Sequence, residues 1–513
     1  MSQLINSRHF SWFLILGFFA LAWLGILHHE MWGDELGPWI IARDSASFLD
    51  VIREVKRQHP GHASLWYLLL HLLTQWTSDP FGMQILHIVF STLTATLIIY
   101  FSPFPKAHRI MLSFGYFFLY EYSIISRNYI QGAFFVFLIC CLYPHRRKNY
   151  LLLSVLLFLM ANFHIYATAI AIAVGVTLIL EYCLMKNKQF SESKRTIVGD
   201  ITALIIFISG ILISLLQSIL FTDPTLYSES RGGAQGVDIN WIVLVVSTIW
   251  KSYAPMPGIA YHFWNTNIID NLTALIPSIV LLLFSIAIFY RKPIILFLYT
   301  VGTSELLLIT FFRPGSARHW GYLFIHFLTC LWLSKYYQSV KTAGLIQPVS
   351  KVLRYFDRHQ QRILTTLFLI QLIAGIFAYS VDLISPFSGS WQTANLIKNR
   401  HDPSLLILEG SGLSPTLTSY LNQKTHPFHE GKWTGRSFVW IGPTQIDPTQ
   451  AGNSRLFQDA GCVLVASRFP LNDPRMETWD VQLREFAKFD RSIVGSENYY
   501  LYEAERSQGR CRN

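Results

Sequence analysis

The side chains with chemistry to offer are few in this chain, and they stand at the ends of long apolar runs. Asp34 and Glu35 lie in Met31-Trp-Gly-Asp-Glu-Leu-Gly-Pro-Trp39, directly after the first run, and His59-Pro60 follows in the same loop. Glu121 and Arg127-Asn-Tyr129 flank a later break and His164 another. Arg231, Lys251, Arg313, Arg318 and His319 mark the last ones, and Glu305 sits inside a run. Ionisable groups this close to hydrocarbon are costly, so each is a candidate for function. Arg127 and Arg318 each begin a helix, where a cation also opposes the macrodipole. Something anionic should offset that cost. Glu121 and Glu305 could do so as structural ion-pair partners. Several arginines sharing one side with an acidic pair point further, to a bound phosphate on a lipid carrier, which guanidinium groups grip through charged hydrogen bonds.

The elements that must position these residues are membrane spans. Of the 513 residues, 52% are hydrophobic and 14% charged, against roughly 25% charged in an ordinary soluble chain. The apolar residues fall in runs of about twenty, the length that crosses a bilayer. This excludes a soluble enzyme, a fibrous protein and a disordered one. The formal charge of +10 would suggest nucleic acid in a soluble chain, yet no basic cluster is interleaved with aromatics as such a surface needs. Eleven spans are expected, near 11–28, 83–101, 109–125, 127–143, 150–163, 165–185, 197–221, 271–290, 293–312, 320–336 and 363–381. With a cytoplasmic N-terminus, every inside loop is basic, from Lys106/Arg109 and Arg146/Arg147/Lys148 to Arg291/Lys292 and Lys341/Lys351/Arg354, as the positive-inside rule requires. The first run carries no small-residue cleavage site and is read as a retained helix.

Leu65 to Trp76 is apolar but short, and counting it as a span would reverse the basic loops, so it is placed at the outer interface. In the same outer loop, Phe48, Leu49, Ile52 and Val55 share a helical face opposite Asp50, Arg53, Lys56 and Arg57. That helix either lies flat on the membrane or covers a folded loop. After Val381 the composition becomes that of a small α/β domain, with short apolar stretches at 405–408, 438–441 and 463–466, helix-compatible segments at 392–398 and 453–460, and a closing hairpin around Ile493 and Tyr499 to Tyr502. An odd number of crossings puts it outside, where Cys462 and Cys511 could pair or stay free thiols. Cys140, Cys141, Cys183 and Cys330 read as packing residues.

The ordered set Trp32-Gly-Asp-Glu35, His59-Pro60 before Leu65-Trp-Tyr67, Ser126-Arg-Asn-Tyr129 and Arg318-His-Trp320 resembles the GT-C superfamily of integral-membrane glycosyltransferases, specifically bacterial relatives of protein O-mannosyltransferases and lipid A aminoarabinose transferases. The resemblance covers essentially the whole chain in architecture. It implies a multi-pass α-helical membrane protein of the inner membrane, with a GT-C-like catalytic part at 1–381 that includes outer loop 30–82, and an extracytoplasmic α/β domain at 382–513. It implies transfer of a sugar from a polyprenyl-phosphate donor to a glycan, lipid or protein acceptor at the outer face, with inversion. One base suffices, because a phosphate is a good leaving group, unlike the two facing carboxylates of a glycoside hydrolase. Family logic gives that role to Asp34, with Glu35 beside it in the catalytic motif but turned elsewhere if helical. Arg127 and Arg318, with Tyr129 and His319, would hold the phosphate; His59, Glu121 and His164 would position the acceptor.

Plainer readings stand next to these: His59 as a capping histidine, and Tyr129, His164 and His319 as part of an interfacial belt. Some GT-C enzymes use a divalent cation, and Asp34, Glu35 and His59 or His164 could ligate one; no spacing demands it, and no obligatory cofactor is expected. The chain departs from the family pattern at Gly61-His-Ala-Ser64 and lacks prolines after Arg318, which leaves the acceptor open. The competing functions are a polysaccharide polymerase or ligase, expected to gather its arginines in one late outer loop, and a lipid-linked sugar flippase, expected to show internal symmetry.

Overall fold

A computed structural model describes residues 8–59, 61–186, 197–220, 239–340, 347–400, 407–409, 414–421, 426–427, 462–468, 470 and 481–506. Its long helices are α1 (Arg8–His28), α5 (Phe81–Thr96, prolonged to Phe101 by a π turn), α9 (Ile165–Lys186), α10 (Ile197–Leu215), α12 (Asn271–Phe289), α13 (Pro293–Phe312) and α15 (Gln347–Asp382). Among the described residues, these seven are long and apolar enough to cross a membrane.

The other four expected spans are shorter or broken. Residues 109–125 divide into α6 (Lys106–Ser113) and a π turn, Tyr116–Glu121, parted by Gly115, whose Cβ would meet the Met111 carbonyl at 2.8 Å. The remaining three are α7 (Tyr129–Leu142), α8 (Tyr150–Ala161) and α14 (Ala317–Leu333). In α7 and α14 the apolar character reflects burial in protein, whereas α8 exposes Leu151, Leu152 and Val155. Every residue of α14 from Gly321 to Leu333 is buried, whereas α1 exposes Trp12, Phe13 and Leu16. A helix buried all round is as hydrophobic as a lipid-facing one.

The loop after α1 folds into three short helices, α2 (Gly33–Asp44), α3 (Phe48–Gln58) and α4 (Leu65–Leu73). Leu36 and Trp39 of α2, Val51 and Val55 of α3 and Trp66, Tyr67 and Leu70 of α4 form their own core. Helix α3 covers this folded loop with Val51 and Val55, while Phe48 and Leu49 stay exposed. Between the later spans lies α11 (Ile239–Tyr253), packed beside α12 and α14.

Beyond α15 come α16 (Ser390–Arg400) and α17 (Ser414–Leu421), with strands β1 (Ile407–Glu409), β2 (His426–Pro427), β3 (Cys462–Ser467), β4 (Val481–Phe489) and β5 (Tyr499–Arg506). The sheet order is β2-β1-β3-β5-β4; β1 is parallel to both neighbours and β5 antiparallel to both of its own. Ala394, Ile397, Leu417, Leu464 and Leu501 close a small core over one face. The hairpin's first arm is β4, and Ile493 lies in the turn instead, buried against the helical bundle. Residues 438–441, 453–460 and Cys511 fall outside the described residues, and with them the Cys462–Cys511 question.

Candidate active site

Asp34 sits in the first turn of α2, where the helix dipole favours an acid. Its carboxylate receives Arg127 Nη1 at 2.8 Å and Arg318 Nη2 at 3.1 Å, from side chains 93 and 284 residues away. Arg127 Nη1 also donates to the Asp34 carbonyl at 2.8 Å. Burial by itself would raise the Asp34 pKa. Arg127 and Arg318 outweigh it, and the carboxyl is held below its ordinary value. Still, 40% of its side-chain surface is uncovered.

Each arginine is aimed by a built support. Arg127 lies in a turn between the Tyr116–Glu121 segment and α7. Its neighbour Ser126 donates its backbone N–H to Glu35 Oε1 at 2.5 Å, the Arg127 carbonyl is bonded to His87 Nε2 at 2.8 Å, and Asn128 Nδ2 donates to the Phe163 carbonyl at 2.7 Å. Arg318 lies in the first turn of α14, set by Gly315. That residue adopts φ +62°, and a Cβ there would stand 2.9 Å from His319 Nδ1. The guanidinium of Arg318 is 5.5 Å from the Trp32 ring and 5.1 Å from that of Trp264, whose indoles meet edge to face. Stacked aromatic faces suit arginine over lysine.

His319 and Tyr129 form a donor pair. Ser316 N–H donates to His319 Nδ1 at 2.9 Å, so the ring proton sits on Nε2 and points to the Tyr129 hydroxyl at 2.9 Å. Among the described residues nothing takes up the Tyr129 hydroxyl hydrogen, which is left to donate into the site. His164 Nε2 is 2.8 Å from the Tyr322 hydroxyl, which itself donates to the Tyr129 carbonyl. Burial pushes His164 down to about 3, with Arg127 adding to it, so the ring is neutral. His164 thus braces α7 and is not aimed at the carboxylate.

Glu35 parts from Asp34. Its side chain is fully buried and occupied: Oε2 meets His29 Nε2 at 3.1 Å and the Trp32 N–H at 3.3 Å, and Oε1 takes the Ser126 N–H. The other nitrogen of His29 meets Asp382 Oδ2 at 2.9 Å. Glu35 thus turns away from the arginines that hold Asp34, as expected of successive residues on a helix, which point about 100° apart. Glu121 is also buried. It accepts from Tyr116 at 2.9 Å and from Trp264 Nε1 at 3.2 Å and pairs with no described arginine. It orients the indole stacked on Arg318. Glu305 likewise has no described arginine partner. Lys251 is bonded to Asn271 and lies 5.6 Å from the Trp320 ring, Arg313 donates to the Ser218 carbonyl, and Arg231 is outside the described residues.

His59 fits its plainer reading as a capping histidine. It caps α3 through its backbone N–H to the Val55 carbonyl, and its ring lies against Gly37 of α2, where a Cβ would be 3.2 Å from Nε2. It also packs at 5.4 Å on His62, which bonds to the Tyr67 hydroxyl at 3.1 Å. Burial lowers His59 to about 4 against the opposing pull of Asp34, and lowers His62 further. Trp32 and Tyr67 stand in the motif strings without a role of their own, His62 has only the signal of a second histidine three residues after His59, and Trp264 has none. No group of three or more His, Cys, Asp or Glu arranged to hold a metal occurs among the described residues.

The C-terminal part closes one side. Glu497, buried, accepts from the Gly33 N–H at 3.4 Å, Arg468 at 2.8 Å and Ser388 at 3.0 Å, which ties the start of α2 to the sheet. Between this part and the bundle opens a cavity of about 430 Å³, walled by Trp32, Trp264, Asn265, Ser316, Arg318 and the 493–496 turn.

Seven long apolar helices, with a carboxylate held by two guanidiniums beside them, define an integral-membrane protein whose fold is shared with solved structures. The particular likeness is to ArnT from Cupriavidus metallidurans. The structure of that protein bound to undecaprenyl phosphate aligns with a TM-score of 0.51 and 9% identity over 99% of this chain and 100% of that one. Its apo state aligns with a TM-score of 0.51 and 10% identity over 97% and 98%. No family model and no curated protein matches the sequence.

Proposed function

We propose that this protein is an inverting glycosyltransferase of the bacterial inner membrane, moving a sugar from a polyprenyl-phosphate donor to an acceptor nucleophile at the outer face. The observation that carries the reading is the Asp34 carboxylate bridged by Arg127 and Arg318. Two cations converge on a single acid beside an open cavity, and both are supports a phosphate can share or take over. The fold agrees, since the ArnT structure it resembles holds undecaprenyl phosphate.

In this reading the donor phosphate enters between Arg127 and Arg318, with the Tyr129 hydroxyl as a third donor aimed by His319. Charge grows on that phosphate as the glycosidic bond breaks, and fixed donors stabilise it. The guanidiniums leave Asp34 for the phosphate, the carboxylate loses the charges that keep it a weak base, and it takes the acceptor's proton as the acceptor attacks. The cavity beside Trp32 and Trp264 receives the reacting sugar and acceptor. Catalysis without an obligatory metal is part of the proposal: turnover of purified protein should persist in excess EDTA, and complete loss restored by one cation would reverse this point.

The deciding experiment uses Asp34→Ala in cells. Lipid extracts analysed by mass spectrometry should accumulate one polyprenyl-phosphate monosaccharide while the purified variant still binds polyprenyl phosphate. Unchanged lipid and glycan pools would remove the transferase reading.

A further inference from the structure

We propose that a second, cation-lined cleft at the opposite end of the helical bundle binds a phosphate anion, presented either by an anionic lipid headgroup or by free phosphate. The cleft encloses about 190 Å³. That is below the roughly 300–1,000 Å³ of a drug-sized ligand pocket and suits a single small polar group. Arg291 and Lys292, from the turn between α12 and α13, and Lys335, just after α14, stand around it with His108 and Gln361. Helix α13 runs from this turn to Arg313, beside the Asp34 site; its 20 residues separate the two ends by about 30 Å. The clefts are distinct, and this inference does not rest on the proposed transferase activity.

Asp357 also lines the cleft and pairs with Arg291, so the cost of holding the three cations together is relieved only in part. Arg291 has Asp357 at 3.7 Å and the Tyr290 hydroxyl at 2.7 Å. Lys292 donates, among the described residues, to the Ser334 carbonyl at 2.5 Å. Among the described residues, no carboxylate lies within ion-pair distance of Lys292 or Lys335. Lys292 is also the N-cap of α13, where the positive end of the helix dipole opposes a cation. Partial burial, and after it the neighbouring Lys335, lowers its pKa. Burial, like charge and dipole all disfavour the ammonium, and an anion seated in the cleft would offset all three.

Geometry favours a ligand over a mere charged surface. The turn is pinned, since Val340 N–H donates to the Arg291 carbonyl at 2.8 Å, and His108 Nε2 is fixed on Thr365 at 2.8 Å. The cleft lies at the ends of α12, α13 and α14, the level at which basic pockets between spans meet lipid phosphates. On the expected topology this is the cytoplasmic leaflet.

The test is native mass spectrometry of the full-length, delipidated protein with dioleoyl phosphatidylglycerol, dioleoyl phosphatidylcholine or inorganic phosphate as probe. Wild type should prefer phosphatidylglycerol over phosphatidylcholine. Lys335→Gln should weaken that binding by about fivefold and Lys292→Gln/Lys335→Gln by about 25-fold, taking roughly fivefold per lysine near a lipid phosphate. Arg53→Gln removes an equal charge at the other end, from a side chain 72% exposed, and should change nothing. Competition by inorganic phosphate, or its binding in place of the lipid, would identify free phosphate as the source. Lys335 is exposed, so its single substitution leaves the fold intact; melting curves check the double variant. Equal binding of the two lipids with no phosphate bound, or equal binding by wild type and the double variant, would overturn the proposal.

Discussion

Asp34 is an ionised carboxylate because two arginines reach it, and the same arginines blunt it as a base. The ion pair stabilises the fold at pH values above an ordinary carboxyl pKa, and that stability is lost as the pH falls through the lowered one. Activity follows the same logic. In the free protein Asp34 stays charged and His59 stays neutral until the pH nears about 4, so kcat/KM should be level from about pH 5 to 8. In the proposed reaction, a donor phosphate takes the guanidiniums and the Asp34 pKa rises. The acid limb of kcat should then lie at higher pH than that of kcat/KM, measured on protein in vesicles. Coincident limbs would mean that the arginines never leave the carboxylate.

At the scale of elements, the site depends on how α2 is joined to its neighbours. Glu35 is the joint: it bonds to α2's own start, to the turn that carries Arg127, and through His29 to Asp382 at the end of α15. Removing one member of a buried charged network leaves the others unpaired, at a cost of about 3–5 kcal/mol. Glu35→Ala should lower thermal stability accordingly in detergent and reduce kcat, since Arg127 and Asp34 then lose their common support. A variant with wild-type melting would show that water fills the gap and that Glu35 is dispensable. Sequence pattern located most of these elements, because a run of apolar residues is a local property. It did not separate lipid-facing helices from buried ones. The segments at 109–125 and 320–336 are as apolar as true spans, yet the first breaks at Gly115 and the second is buried in protein from Gly321 to Leu333.

At the scale of the molecule, the part after α15 completes the site. Glu497 holds the Gly33 N–H, one residue from Asp34, and the 493–496 turn closes the cavity beside Arg318. Glu497→Ala should lower kcat several-fold without altering membrane insertion, because the start of α2 loses its anchor. Complementation in cells together with protein abundance in membrane fractions would check this, and full activity would show that the sheet merely covers the bundle.

The amino-acid sequence determined the membrane-spanning character and the basic loops, and offered Asp34, Arg127, Tyr129, Arg318 and His319 as candidates, since apolar run length, charge position and side-chain type need no neighbours to be read. Tertiary structure alone decided that Asp34 faces the arginines while Glu35 turns into a buried network, that Glu121 serves through Trp264, and that His62 and Glu497 belong to the site. Adjacent acids on a helix are chemically alike and differ only in direction. What each direction meets is set by side chains up to 284 residues away, through burial and pairing that no local pattern encodes.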